Sequence, residues 1–324
     1  MVRRRGITVL LGAVLVALLT WQSLSMDVAY VVFSPGPTED VLGSEQIDGV
    51  EHPIITADTE YPSEGQLRLT TVRVKQSVTL AQAMRYWLSN EYAIIPRDLV
   101  YPPGESEEDI AQEQEADWVE SQSNAEQAAL AYLGEPAIVE VVADSGGLAA
   151  GDVVTAVEGN AVTALADLAD YADSETTVTV TRAGESVEVP GVVLGEAELS
   201  STHEDPYGIE IDTEALDIGG PSAGLIFALG IVDRVTEGDL TDGRIIAGTG
   251  EIDPEGNVGG IGGIQQKITG SAEAGAEVFL SPAANCSDAV TVAPDDMTIV
   301  RVETLADAVS ALESLAAGEA VTTC

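Results

Sequence analysis

The chain has 324 residues, enough for two or three domains. Its 55 acidic and 13 basic residues give a net charge of −42, a surface that repels phosphate backbones and argues against nucleic acid as a partner. With two Cys and two His, both a disulfide framework and a His-rich metal site are excluded, so we expect no metal and no other cofactor.

The N-terminus carries the features of a membrane anchor. Residues 1–6 include three Arg, and Ile7–Leu24 follows as 18 uncharged residues, near the lower limit for crossing ~30 Å of hydrocarbon. The positive flank predicts a cytoplasmic tail at 1–6, a single span at 7–25 and an extracytoplasmic remainder. The alternative is a cleaved signal peptide, with Ser23 and Ser25 as the small residues. Apolar sequence resumes at Val28, which favours the anchor.

Residues 27–125 are predicted to form an N-terminal extracytoplasmic region. Gln66–Val74 alternates apolar and polar residues like a half-buried strand. Thr79–Asn90 reads as a short helix with its apolar residues on one face. Glu105–Leu133 is acidic and favours a helix, for which Ser106 and Asp109 provide a capping pair.

Residues 126–198 contain a strand, a Gly-rich turn, a second strand and a hairpin. Ser145–Leu148, Ala150–Val154 and Val157–Gly159 resemble the corresponding elements of a PDZ domain. Such domains capture peptide termini in a backbone nest, for which Leu133 and Gly134 are the candidate substrate-binding residues. Glu135 stands where a PDZ loop has a hydrophobe, so a purely architectural role is the alternative.

The first chemical motif is a Gly-Pro-Ser-Ala-Gly string that leads into an apolar helix. Pro221 suits a first helical turn and Ser222 lies beside it, at the positive end of the helix. Free N–H groups at such an end can hold an oxyanion, which makes Gly220, Pro221 and Ala223 the candidate residues. The alternative for Ser222 is a simple helix cap.

The second motif is a Thr-Gly-Glu string at the end of a buried strand, with Gly248 and Thr249 as its candidate site residues. A Gly-rich turn follows, and then a helix with Lys267, one of only two Lys in the chain. Arg does not lose its proton in proteins, whereas a desolvated Lys does. The turn has no phosphate-binding pattern and lies in acidic surroundings, which argues against a nucleotide site.

The two motifs and the helix with Lys267 together resemble the proteolytic domain of Lon-type proteases over about 110 residues. Thr249 follows Ser222 by 27 residues and Lys267 follows Thr249 by 18. The resemblance implies Ser222 as nucleophile, Lys267 as general base and Thr249 as the residue that orients the lysine. It also implies an α/β proteolytic domain at 200–318, in an α+β multidomain chain like the PDZ-containing Lon-type proteases of bacteria.

The chemistry sets requirements of its own. Lys267 accepts a proton only when neutral, so it needs a dry pocket with no carboxylate on its amine. Many Lon-type enzymes have Asp three residues before the serine, where this chain has Gly219, with Asp217 two residues earlier. The ATPase module is missing from the sequence, so the expected substrates are polypeptides that are flexible, unfolded or close to the membrane. Whether copies assemble into a homo-oligomeric ring, as Lon-type proteases often do, stays open.

Two other functions compete with a Ser-Lys endopeptidase. A Ser-His-Asp hydrolase would need His52 or His203, and His203 lies in a loop-like string 19 residues before Ser222. A PDZ scaffold with an inactive protease-like domain would need no catalytic group. Cys286 and Cys324 either pair in an oxidising compartment or remain two small unpaired residues.

Overall fold

The computed structural model of the chain describes residues 2–47, 49–89, 91–104, 106–213, 216 and 218–324, with the backbone alone at 2–6, 47 and 107. The side chains of the three N-terminal Arg and the whole of Asp217 therefore lie outside the described residues.

The first third of the chain contains one long helix, two short ones and eight strands. In chain order they are α1 (Val2–Leu24), β1 (Asp27–Val28), β2 (Tyr30–Asp40), β3 (Ser44–Ile47), β4 (Val50–Pro53), β5 (Ile55–Thr56), β6 (Gln66–Lys75), β7 (Val78–Thr79), α2 (Leu80–Trp87), β8 (Ala93–Pro96) and α3 (Arg97–Val100).

The middle third begins with a second long helix and continues with strands. They are α4 (Glu107–Leu133), β9 (Ala137–Val141), β10 (Val153–Val157), β11 (Asn160–Ala161), a 3₁₀ turn (Leu165–Tyr171), β12 (Thr176–Arg182), β13 (Glu185–Val192), a second 3₁₀ turn (Leu194–Glu196) and β14 (Leu199–His203).

The last third alternates strands and helices. Its elements are β15 (Glu210–Ile211), α5 (Gly224–Val235), β16 (Ile245–Gly248), β17 (Glu251–Ile252), β18 (Val258–Gly259), α6 (Ile264–Glu273), β19 (Val278–Pro282), a 3₁₀ turn (Ala283–Asn285), α7 (Cys286–Ala289), β20 (Thr298–Val302) and α8 (Leu305–Ala316).

A mixed six-stranded sheet organises the main body in the order β20-β19-β16-β6-β2-β8. The first four strands are parallel, whereas β2 is antiparallel to both β6 and β8. Successive residues of β16 point to opposite faces of the sheet. Ile246 packs with α4, α5 and α8, and Ala247 packs with α6 and α7. The body is therefore an α/β sandwich of three layers.

This sheet changes the expected domain boundaries. Strands β2, β6 and β8 come from the region expected at 27–125, and β16, β19 and β20 come from the one expected at 200–318. Because β6 pairs with β16 over four residues, these two regions are one folded unit rather than two. The sequence pattern did not predict the pairing of β6 with β16, because strands so far apart in the chain leave no local signal of their contact.

Residues 137–203 form an inserted module with its own sheet, in the order β13-β12-β10-β9-β14. Its core of Val and Leu side chains is separate from the core of the body. The chain enters on β9 and leaves on β14, which pair directly from Ala137 opposite His203 to Val141 opposite Leu199. The module is therefore joined to the body through two adjacent strands.

Local sequence explains the two long helices. Ser106 and Asp109 form the expected reciprocal cap of α4, and Gly134 ends this helix in the left-handed conformation at φ 85°. Within the described residues, one helix is apolar enough to span a membrane, at Ile7–Leu24, and all of its residues are exposed.

Candidate active site

Three chain segments bring the candidate catalytic side chains together. Ser222 precedes α5 by two residues, Thr249 directly follows β16, and Lys267 lies on the first turn of α6. The Nζ of Lys267 is 2.6 Å from the Oγ of Ser222 and 2.9 Å from the Oγ1 of Thr249. The structure therefore places the three residues that the sequence singled out in mutual hydrogen-bond contact.

The lysine amine has a third partner that the sequence did not indicate. Its Nζ donates to the backbone carbonyl of Thr70 on β6, at 3.0 Å. A backbone carbonyl is present at every residue, so no residue type marks this contact in advance. It comes from the N-terminal region, which thereby supplies part of the site.

The hydrogen bonds of the site accommodate both protonation states of the lysine amine. Thr249 Oγ1 donates its proton to the Ser222 carbonyl at 2.9 Å, so it accepts from Nζ. The Thr70 carbonyl can only accept. The ammonium form donates its third proton to Ser222 Oγ, whereas the neutral amine keeps these two contacts and has its lone pair left for the Ser222 hydroxyl.

Burial explains how the lysine becomes neutral. Lys267 is 4% exposed, and loss of hydration lowers the pKa of its amine from 10.5 to about 7. Glu251 opposes this by raising the lysine pKa through space. Among the described residues no carboxylate forms a hydrogen bond or ion pair with the amine.

Backbone N–H groups at the nucleophile differ from the expected set. The helix α5 begins at Gly224, so Pro221 lies before it rather than in its first turn. Pro221 has no N–H, and that of Gly220 donates to the Gln114 carbonyl at 3.0 Å. In the described part of the chain, the N–H groups of Ser222 and Ala223 have no acceptor. Of the three residues expected beside Ser222 only Ala223 can donate, together with the N–H of Ser222 itself, which was also expected.

The helix α4 holds the loop that carries the nucleophile. The Oγ of buried Ser121 donates to the Pro221 carbonyl at 2.9 Å. In a trans peptide unit the carbonyl and the following N–H point in opposite directions. This contact therefore fixes the direction of the Ser222 N–H. The buried small residues Ser121, Ala125 and Ala128 share one face of α4, and this spacing was the available sequence signal.

Glycine is favoured beside this helix. A Cβ at Gly219 would lie 3.3 Å from the Cβ of Gln114, and Gly220 has a φ of +87°. Close contact with α4 thus leaves little room for a side chain at residue 219, and the positive φ favours glycine at residue 220.

A cleft of about 750 Å³ opens over the site, lined by Ser222, Lys267, the Gly219–Pro221 loop and Thr71–Val74 of β6. The strand β16 pairs with β6 only as far as Leu69. Beyond that point β6 has no strand neighbour on this side among the described residues, so its free edge faces the cleft.

The expected substrate-binding residues lie away from this cleft. Leu133 and Gly134 end α4, where the N–H groups of Gly134 and Glu135 donate to helix carbonyls and cannot hold a carboxylate. Gly248 is a buried strand residue, whose added Cβ would meet Ile226 and Leu280 at 2.8 and 2.9 Å. Its role is close packing, which corrects the expectation.

Neither histidine reaches the nucleophile. The Nδ1 of His203 is 2.9 Å from the Glu135 carbonyl, at the junction with the inserted module. His52 lies 3.5 Å from Asp212 in a neighbouring groove. No histidine lines the cleft above Ser222.

Comparison with known proteins agrees with this geometry. Residues 197–314 match the Lon protease (S16) C-terminal proteolytic domain. No curated protein matches the chain. The matched segment includes Ser222, Thr249 and Lys267 but neither Thr70 nor Ser121. Residues 197–314 are thus similar to a Lon protease (S16) C-terminal proteolytic domain, a similarity that implies a serine peptidase.

Proposed function

We propose that the chain is a membrane-anchored serine endopeptidase that cleaves polypeptides with a Ser222–Lys267 dyad and no ATPase of its own. The observation that carries this proposal is the buried amine, which lies 2.6 Å from Ser222 Oγ and has acceptors at Thr70 and Thr249 for the two protons that remain when it is neutral. A serine hydroxyl becomes nucleophilic when such a base removes its proton.

The reaction then follows ordinary acyl transfer. Lys267 takes the hydroxyl proton while Oγ attacks the peptide carbonyl carbon. The N–H groups of Ser222 and Ala223 donate to the oxyanion. The ammonium returns the proton to the leaving nitrogen, the C–N bond breaks, and an ester remains on Ser222. Water, deprotonated by Lys267, hydrolyses that ester and restores the serine.

Thr249 keeps the lysine in position during these steps. Its hydroxyl links Lys267 Nζ to the Ser222 carbonyl, with 2.9 Å for each contact. Thr70 supplies the second acceptor, so the amine cannot turn its lone pair away from Ser222.

The free edge of β6 offers a way to bind an extended substrate. A polypeptide added there as a strand would use main-chain hydrogen bonds, which every unfolded sequence can make. This mode suits an enzyme that selects substrates for flexibility. The inserted module, which we interpret as PDZ-like, acts as an architectural unit, because Leu133 and Gly134 offer no nest for a chain end.

Two features support an extracytoplasmic, membrane-bound site. The helix α1 has the length and apolar character of a membrane span. Cys286 and Cys324 form a disulfide, a bond that persists in oxidising compartments. The pairing of these two residues was open in the sequence.

The test is hydrolysis of unfolded, fluorescently labelled casein by the full-length chain and its variants. We expect Ser222→Ala and Lys267→Arg to lose activity, because the first has no nucleophile and the second keeps its proton. His203→Ala should retain activity. Activity that survives Lys267→Arg would exclude the lysine base, and loss on His203→Ala would indicate a histidine mechanism.

The alternative is a scaffold with an inactive protease-like domain. It predicts no cleavage of labelled casein by the unmodified protein. The contact of Ser222, Thr249 and Lys267 argues against it. Burying a lysine lowers the free energy of unfolding, so a lysine is expected in such a position only where the function needs it.

A further inference from the structure

The short helix α2 lies at the end of the apolar helix α1. Two residues after α1 ends at Leu24, the carbonyl of Met26 accepts a 2.9 Å hydrogen bond from the N–H of Leu80, the first residue of α2. The ladder between β1 and β7 fixes this connection, with Asp27 opposite Thr79. Two residues span at most about 7 Å, so α2 starts within a headgroup layer's thickness of the α1 end.

One face of α2 is apolar and uncovered. Leu80, Met84, Trp87 and Leu88 follow each other at helical spacing, and we name them the α2 face. Met84 is 55% exposed, Trp87 79% and Leu88 83%. The adjacent side of the helix packs inward through Ala83, which is buried with Val32 and Val78. The helix is thus held by its inner side, while its outer side has no partner within the described residues.

Charge around this face differs from that of the whole chain. Residues 73–101 carry four basic and two acidic side chains, whereas the chain carries 13 and 55. Lys75 and Arg85 are exposed, and Arg97 stacks on the ring of Tyr101 at 4.8 Å. An anionic surface would repel the rest of the molecule and attract this end.

We propose that the α2 face lies in the headgroup layer of the anionic bilayer that holds α1. An amphipathic helix with aromatic and aliphatic residues on one side and flanking cations is the arrangement that binds in the plane of such a layer. This inference rests on the proposed anchoring by α1 and adds a second, interfacial contact.

The docking would determine where the cleft opens. Phe33, Arg73 and Val74 line the cleft. Strand β6, which carries Arg73 and Val74, leads through β7 into α2. With α2 at the bilayer surface, this end of the cleft faces the membrane. The substrates it reaches first are polypeptide segments that leave the bilayer.

The test uses the full-length Ser222→Ala, Trp21→Phe chain in vesicles of phosphatidylcholine and phosphatidylglycerol whose acyl chains carry bromine near the headgroup. Bromine quenches tryptophan only on contact. Trp118 is 4% exposed in the core, so quenching reports Trp87. We expect loss of the Trp87 emission, and less loss when Lys75→Glu and Arg85→Glu are added.

A matched control moves the reporter from α2 to Tyr132 on α4, a helix that packs against α5 and α8. In a Trp21→Phe, Trp87→Phe, Tyr132→Trp chain, the new side chain is exposed near the C-terminal end of a helix about 40 Å long, and we expect no quenching. Flotation with the vesicles reports α1 by itself. Failure to float overturns both the anchor and the docking, whereas flotation with an unquenched Trp87 overturns the docking alone.

Equal quenching at both positions would also overturn the proposal, because it would mean nonspecific adhesion. Self-association through this face would appear as a disulfide-linked dimer of a Leu88→Cys chain with Trp87 unquenched, and it would replace the bilayer with a second copy. Because the nucleophile is absent throughout, these results do not depend on the proposed proteolysis.

Discussion

The titration of one side chain should control activity. Lys267 has a pKa lowered to about 7 by burial, and only its neutral form accepts the serine proton. Below this value the amine is an ammonium without a lone pair. We therefore expect kcat/KM to rise about tenfold per pH unit below pH 7 and to level off above it. The measurement is the pH profile of peptide hydrolysis.

Removing the carboxylate that raises the pKa of Lys267 gives a sharper test of this pH dependence. Glu251 raises the lysine pKa, so Glu251→Gln should move the midpoint of the profile to lower pH. Glu273→Gln, an exposed change on α6, the helix that carries Lys267, should leave the midpoint where it is. A rise in the midpoint with Glu251→Gln would contradict this electrostatic account.

A second prediction concerns a residue that does not touch the dyad. Ser121→Ala removes the hydrogen bond that orients the Pro221–Ser222 peptide unit. Since the oxyanion forms only during the reaction, kcat should fall by roughly fivefold, about 1 kcal/mol, while KM stays unchanged. Ser123→Ala, an exposed change on the same helix, is the control. A changed KM with an unchanged kcat would indicate a substrate-binding role instead.

At the scale of elements, the inserted module should be separable. Its first and last residues, Ala137 and His203, are direct neighbours across β9 and β14. Replacing residues 138–202 with a short Gly-Asn linker should leave the body folded, because each core keeps its own side chains. Hydrolysis of a short unstructured peptide should persist.

A fragment that lacks the N-terminal strands of the main sheet should not fold. A chain that starts at residue 197 includes the Lon-type match but lacks β2, β6 and α4. Without β6, β16 loses one of its two neighbours and Lys267 loses the Thr70 carbonyl. Circular dichroism should show no cooperative unfolding for this fragment, and a cooperative transition would contradict the single-body description.

The sequence predicted the parts of the site that depend on residue type. Ser222, Thr249 and Lys267 were found from their strings and from the rarity of lysine, and the cap of α4 from Ser106 and Asp109. It did not reveal Thr70, whose contact uses only a backbone carbonyl. It also missed the pairing of β6 with β16, because 178 residues separate Thr70 from Gly248 and no local period in the sequence indicates such a contact.

At the scale of the whole molecule, the disulfide should contribute to stability. Cys286 and Cys324 are 38 residues apart, and closing a loop of this length limits the unfolded chain by up to about 4 kcal/mol. We expect Cys324→Ser to lower the Tm by several degrees and to leave the dyad active. A reducing agent should lower the Tm of the unmodified protein in the same way but not that of a Cys286→Ser, Cys324→Ser chain.

The parallel pairing of β6 with β16 also bears on when the enzyme becomes active. A chain leaves the ribosome from its N-terminus, so β6 emerges long before the segments with Ser222, Thr249 and Lys267. Strand β6 has no parallel neighbour until β16 has been made. The Lys267 amine stays hydrated and charged until α6, the helix that carries it, packs against β6. During synthesis the nascent protease therefore has no working base, and it gains one only when nearly the whole polypeptide has been made.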